Sequence, residues 1–288
     1  MKLKRLEGFD IMVYVVIALV CAIMIYPFLN VIAVSLTSYS EYLKNPMMIF
    51  PAKLDLAAFK YVLTNNQVHV SYINTIIVTI AGTVIGIALL ILTAYPLSKS
   101  HLKGRTFFMN VVVFTMMFNG GLIPTYNLIK SIKLLDTLWA LILPSALTAF
   151  NLILMKNFFE SLPESLEEAA KIDGANDWYI LFKIIIPLSK PIIATLVMFL
   201  AVAYWNNYFN AIMYIRDRSL WTLQLVLREI VLSDSAQSLE QGNEGAENIV
   251  PVTIKYASLL VVMLPILVVY PFVQKYFVHG VMVGAVKG

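Results

Sequence analysis

The chain has 288 residues, 60% of them hydrophobic and 13% charged, with a formal net charge of +4 and one cysteine. Soluble domains average about 45–50% apolar and about 25% charged residues, so the apolar excess here must face a solvent other than water, and a lipid bilayer is that solvent. The modest charge gives no case for nucleic acid, and a lone cysteine excludes a disulfide framework and a cysteine-based metal site.

Lys2, Lys4 and Arg5 precede an apolar run from Phe9 to Leu36. That run exceeds the roughly 7–15 residues of a signal-peptide core, and Ala18-Leu19-Val20 before Cys21 lacks the pattern of a lipoprotein cleavage site, so it is expected to be an uncleaved first span. Five further apolar segments follow, giving spans near 9–36, 73–97, 107–129, 138–155, 188–213 and 256–275. Each can cross about 30 Å of hydrocarbon as a helix, in some cases with tilt. The ten-residue alternation of barrel strands is absent. The expectation is an all-α polytopic membrane protein, a single transmembrane domain over 1–288 with six transmembrane helices.

Lys99, Lys103 and Arg105 in the short connection Ser98–Thr106, together with the basic N-terminus, place both on the cytoplasmic side. An even number of spans puts the C-terminus there too. Thr37–Tyr72 and 214–253 then lie outside and 156–187 inside; Ser233–Asn248, rich in Ser, Gln, Gly and Glu, has the composition of a mobile loop.

No span carries an ionisable residue in its interior, which argues against a proton-coupled carrier, though not against Na⁺ held by backbone carbonyls. No G-x-x-x-x-G-K-[ST] phosphate loop is present, so ATP hydrolysis of the usual kind cannot occur on this chain. His69, His101 and His279 are far apart and lack metal spacing, and Glu167-Glu168 fits a solvated helix face better than a catalytic dyad. Neither a catalytic residue nor a metal ligand is expected.

Within 156–187, Ser161-Leu162-Pro163-Glu164 has the spacing of a capping box, predicting a helix from about Leu162 to Asp173. Gly174 can end it in the left-handed conformation, and Asn176 can cap a second short helix through Trp178 and Tyr179. Such a helix pair serves equally as an amphipathic linker resting on its own bundle or as a docking element.

Glu168-Ala169-Ala170, Gly174, Ile184 and Pro187 follow the spacing E-A-A-x3-G-x9-I-x-L-P, with Ile186 in place of the leucine. This resembles the EAA signature of bacterial ABC importer permeases. Gly120-Gly121-Leu122-Ile123-Pro124-Thr125 and Leu135-Asp136-Thr137-Leu138-Trp139-Ala140 resemble carbohydrate permeases of the maltose-permease type. Trp221–Glu229 and Lys275–Gly280 are similar to the lipoprotein-linked branch, which serves complex saccharides. The resemblance implies that the EAA helix, including Asp173, docks in a cleft of a separate ATPase. It implies a tail (Gly284, Ala285, Lys287, Gly288) reaching the ATPase dimer interface, and a second, homologous permease subunit. It also implies two ATPase subunits that carry the ATP and Mg²⁺, an extracellular substrate-binding protein, a saccharide substrate and the bacterial cytoplasmic membrane. No cofactor belongs to this chain itself. A permease for a non-sugar solute such as a peptide, or a membrane scaffold, are the alternatives.

A saccharide path needs neutral hydrogen-bonding groups and flat apolar faces. Tyr204, Trp205, Asn206, Asn207 and Asn210 in the fifth span offer both, and Asn206 and Asn210, four apart, would share a helical face. Helix–helix hydrogen bonds and an interfacial aromatic belt account for them as well. Asn119 with Gly120 and Gly121 either breaks the third span and bares carbonyls or simply kinks it.

Overall fold

The first apolar run forms an uninterrupted helix because nothing in it breaks the hydrogen-bond ladder except Pro27, which the surrounding turns tolerate. The computed structural model describes residues 8–240 and 252–280, apart from 52 and 119, and every regular element among them is helical. In chain order these are α1 (Gly8–Ser35), α2 (Tyr39–Lys44), α3 (Ala57–Thr64), α4 (Asn66–Ser98), α5 (Arg105–Met117), α6 (Leu122–Ser131), α7 (Trp139–Ile142) and α8 (Ala149–Glu160). They continue as α9 (Glu164–Ile172), α10 (Asp177–Ile180), α11 (Ile186–Leu188), α12 (Lys190–Trp205), α13 (Phe209–Tyr214), α14 (Leu223–Glu240) and α15 (Val252–Gly280).

Among the described residues, two apolar helices are long enough to cross a membrane unbroken, Phe9–Ser35 and Asn66–Ser98. The segments expected as the third and fourth spans are bent pairs, α5 with α6 and α7 with α8, and α10–α11 joins α12 through an 80° bend at Ser189. Counting each pair once raises the number to five, and α15 contributes a shorter apolar stretch, Val252–Val268. The fifth segment is further interrupted between Trp205 and Phe209.

Two compact units emerge. One comprises residues 1–69 and 227–264. Ala33, Val34 and Met48 form its buried centre, packed against Tyr42, Val252 and Tyr256. Asn30 secures the chain after α2, its Nδ2 donating to the carbonyls of Pro46 and Met48, both at 2.9 Å. Most of α1 is apolar on every side and exposed, the pattern of a helix solvated by lipid or by another membrane protein.

The other unit comprises residues 70–226 and 265–288. Its core is built on α4, where Gly82 and Gly86 stand one turn apart and admit Tyr204 and Leu200 of α12 and the Ala146 carbonyl. Small residues spaced by four let membrane helices approach closely. At the start of α4, Asn74 Nδ2 donates to Ser219 O (2.8 Å) and Trp221 O (3.1 Å), and Thr75 Oγ1 accepts the Leu223 N–H at 2.8 Å. These bonds fix the segment 219–223 from which α14 starts.

Ser233–Glu240, expected as a loop, is helical in backbone as the end of α14. The helix is nucleated on buried Leu223, Leu225 and Val226, and once nucleated, extension over Leu, Ala, Gln and Glu costs little. The remainder of that expectation, 241–248, lies outside the described residues.

Candidate coupling and pathway sites

Glu160 and Ser161 close α8, and the Ser161 hydroxyl donates back to the Phe158 carbonyl at 2.7 Å. Ser161 therefore does not cap α9, and the expected capping box is absent. Pro163 takes the cap position instead with φ −61° and ψ 123°, leaving Glu164 as the first helical residue. Glu164 and Glu167 in the first turn and Lys171 in the last complement the helix dipole.

The end of α9 is closed by two backbone bonds, Ala175 N to Ala170 O at 2.9 Å and Gly174 N to Lys171 O at 3.0 Å. That pair is a Schellman motif, and it requires the left-handed residue supplied by Gly174 at φ +80°. Asn176 Oδ1 then accepts the Tyr179 N–H at 2.8 Å and starts α10, as its position predicts. The second helix does not stop near Tyr179. It passes through a π-helical turn, Leu181–Ile185, into α11, because Ile180, Leu181 and Ile185 are buried and hold it to the core.

The EAA-pattern residues divide by surface. Ala170, Asp173, Gly174 and Ile184 line one open groove of about 590 Å³ with Asn176, Tyr179 and Lys183. Glu168 and Ala169 occupy the exposed side of α9, and Pro187 is exposed near the bend. Around them stand bare apolar side chains: Ile172 is 87% exposed and Trp178 61%, the latter stacked on Phe182 at 6.1 Å.

Three ion pairs, one on α9 and two at the end of α8, lie behind this surface, and sequence reasoning missed them. Lys99 pairs with Glu167, Arg105 with Glu160, and Lys156 with Glu160 at 2.7 Å. The signal was present in Lys99 and Arg105, two cations in a short connection on the same side of the membrane as Glu160 and Glu167.

The expected pathway residues do not form one face. Tyr204 is only 2% exposed; its hydroxyl donates to Ile142 O at 2.8 Å and its ring covers Gly82. Its role in this conformation is a helix–helix tie. Trp205 is also buried and meets Tyr72 edge-on at 5.9 Å. Asn206 and Asn210 do not share a helix, because α12 ends at Trp205. Asparagine offers the backbone alternatives to helix, and here Asn207 Oδ1 accepts the Asn210 N–H at 3.2 Å. Asn206 spans the break, donating to Val202 O at 3.0 Å and accepting from Gln224 Nε2 at 3.2 Å. The third segment is broken between Met117 and Leu122, with Gly121 at φ +86°. Asn119 lies outside the described residues, as do Gly284, Ala285, Lys287 and Gly288 of the tail.

Comparison with known proteins places this geometry. Residues 70–283 match the family described as binding-protein-dependent transport system inner membrane component. The chain is 44% identical over 281 residues to the polygalacturonan/rhamnogalacturonan transport system permease protein YtcP of Bacillus subtilis (strain 168), covering 97% of this chain and 98% of that one. It is 45% identical over 283 residues to protein LplC of the same organism, covering 97% and 95%. Among solved structures, it is similar to a bacterial ABC transporter involved in the import of the acidic polysaccharide alginate. The TM-score is 0.84 at 33% identity, covering 95% of this chain and 99% of that chain. The chain belongs to the family of binding-protein-dependent transport system inner membrane components, and is an ABC-transporter permease.

Proposed function

We propose that this chain is the permease half of an importer for saccharides released from oligo- or polysaccharides, with acidic ones foremost. It forms half of the translocation path with a second, homologous permease. Two ATPase subunits dock on the cytoplasmic face, and an extracellular substrate-binding protein delivers the sugar. All six apolar segments cross the bacterial cytoplasmic membrane as one transmembrane domain over 1–288, with both termini in the cytoplasm. The bends within the third and fourth segments are breaks inside spans, and the 80° bend at Ser189 marks where the cytoplasmic segment meets the fifth span.

One observation carries the coupling role: α9 and α10 present Ile172, Trp178 and the Gly174 groove to the outside while the Lys99–Glu167 pair holds α9, and buried Ile180 and Leu181 hold the other helix, from behind. ATP-driven closure of the ATPases moves α9, and the packed helices answer by switching between two arrangements. The saccharide reading is supported by YtcP, a polygalacturonan/rhamnogalacturonan permease, and by the importer of the acidic polysaccharide alginate. Asn206, Asn207 and Asn210, at the break after α12, remain the proposed substrate contacts of this chain, and Asn119 is proposed as one from the sequence. Glu168, Ala169, Ala170, Asp173, Gly174, Ile184 and Pro187 are the proposed coupling residues, and the tail from Gly284 is proposed to meet the ATPases.

The test is uptake by proteoliposomes holding the full complex, supplied with binding protein and either oligogalacturonides, neutral maltooligosaccharides or peptides. ATP-dependent uptake of the saccharides, lost on Glu168→Ala and Gly174→Asp, is the expected result. Uptake confined to peptides would overturn the substrate class, and uptake indifferent to ATP would overturn the coupling.

A further inference from the structure

We infer that Lys99 and Glu167 are positioning residues of the power stroke. With Arg105, Glu160 and Tyr95 they form a closed joint that passes motion of α9 directly to the ends of α4 and α5. The inference rests on the docking role of α9 proposed above.

The contacts run in a circle. Glu167 on α9 pairs with Lys99, whose side chain and partner keep 19% and 13% of their surface exposed. The same Lys99 ammonium sits 4.4 Å from the centroid of the Tyr95 ring on α4. Tyr95 meets Phe159 of α8 edge-on at 6.4 Å. The next residue, Glu160, holds Arg105 at the start of α5 and Lys156 one turn back on α8. Arg105 closes the circle by donating from Nε to the Leu97 carbonyl of α4 at 2.9 Å.

This arrangement differs from scattered surface ion pairs, which contribute little because both side chains must be ordered in water. Here Lys99, Arg105 and Glu160 each have two partners on different helices, and a cavity of about 480 Å³ lined by Ser98, His101, Glu164 and Lys171 borders the joint. Covalently, α9 is tied only to α8 and α10. Without the joint, α4 and α5 would receive its motion through packing alone. The covalent order places Lys99 68 residues from Glu167, so the pair supplies a connection that the backbone does not.

The experiment uses the complete transporter in proteoliposomes and reads saccharide moved per ATP hydrolysed, after confirming that each variant co-purifies with the ATPase. Lys99→Glu and Glu167→Lys each lower that ratio at least fivefold, and the swapped double variant returns it to within twofold of wild type. Glu167→Gln, which removes charge with little change of shape, lowers it two- to fivefold and serves if a reversal does not assemble. A ratio unchanged in the single variants overturns the proposal, whether the two rates hold or fall together. So does a swap that restores assembly but not the ratio, since the pair would then be a folding contact. Failure of the docking reading looks different: the wild-type chain itself would then not retain the ATPase.

Discussion

Replacing Gly82 with alanine tests whether the approach of α12 to α4 is as close as the fold requires. A Cβ at that position would lie 2.5 Å from Cε2 and Cζ of Tyr204 and 2.8 Å from Cε1. Unstrained carbon contacts need about 3.5 Å, so the ring must retreat by roughly 1 Å. It has nowhere easy to go, because it is buried and its hydroxyl is bonded to Ile142 O. Overpacking costs about 1–3 kcal/mol. An Ile142 carbonyl left without its donor costs about 1–3 kcal/mol more. Against this, alanine in place of glycine within a helix returns about 1 kcal/mol. The net is a destabilisation of roughly 1–5 kcal/mol, the sign being set by the ring rather than by propensity. The assay is thermal and denaturant unfolding of the detergent-solubilised protein, with Gly120→Ala as control because a Cβ there meets nothing within 4 Å. Tyr204→Leu should cost less in the Gly82→Ala background than in wild type, since the two sites share one contact. A Gly82→Ala protein as stable as wild type, or strictly additive variants, would refute the reasoning.

The other predictions concern exposed chemistry. Ile172→Glu and Trp178→Ala each weaken ATPase binding by about 30-fold or more, the scale of an interface hot spot, in a titration of solubilised permease with ATPase. Gly174→Asp shifts unfolding of the isolated chain by only about 1–2 kcal/mol, the cost of a side chain at positive φ, because no neighbouring atom opposes it. Uptake by the assembled variant should nevertheless be lost. The Asp217 carboxyl is held below its ordinary range by the backbone N–H and hydroxyl of Ser219. Its contribution to stability is therefore present above the unfolded-state pKa and fades as pH falls through the depressed value. Asp217→Asn should lower the neutral plateau of a melting-temperature profile slightly and leave its acid end unchanged, so that the fall from neutral to acid pH is shallower.

Much of the fold was legible because a membrane helix must satisfy its backbone internally, so long apolar runs admit one answer. The runs at 9–36 and 73–97 are the clearest cases, forming α1 and the body of α4. What hydropathy does not encode is where a run bends. Ser189 and Asn206 each interrupt a helix within an apolar context, one beside two prolines and the other through asparagine side chains that bond the backbone. Composition misled at Ser233–Glu240, where polarity indicated a loop but a buried starting turn carries the helix onward. Tyr204 was chosen for its polarity, yet its hydroxyl serves a carbonyl 62 residues away, a long-range partner that no local spacing reveals.

The segment 161–187 shows how a motif can be recognised while its local mechanics are misread. The spacing from Ser161 to Glu164 fits a capping box, but Ser161 is still the end of α8, where its hydroxyl finds a nearer carbonyl. Gly174 and Asn176 were legible because each solves a backbone problem that few other residues can: a left-handed turn and an orphan N–H. Ile172 belongs to neither category. It follows Glu164, Glu167, Glu168 and Lys171 on a helix whose charges belong in water, and it stands almost fully exposed. Lipid cannot cover it without also desolvating those charges, and the chain's own core lies on the opposite side, against Leu162 and Ala170. A protein surface that is apolar at its centre and polar at its rim can meet both demands at once. The backbone motif thus fixes the angle at which α9 is offered, the Lys99–Glu167 pair behind it stiffens that angle, and the exposed isoleucine is what remains for a partner to hide.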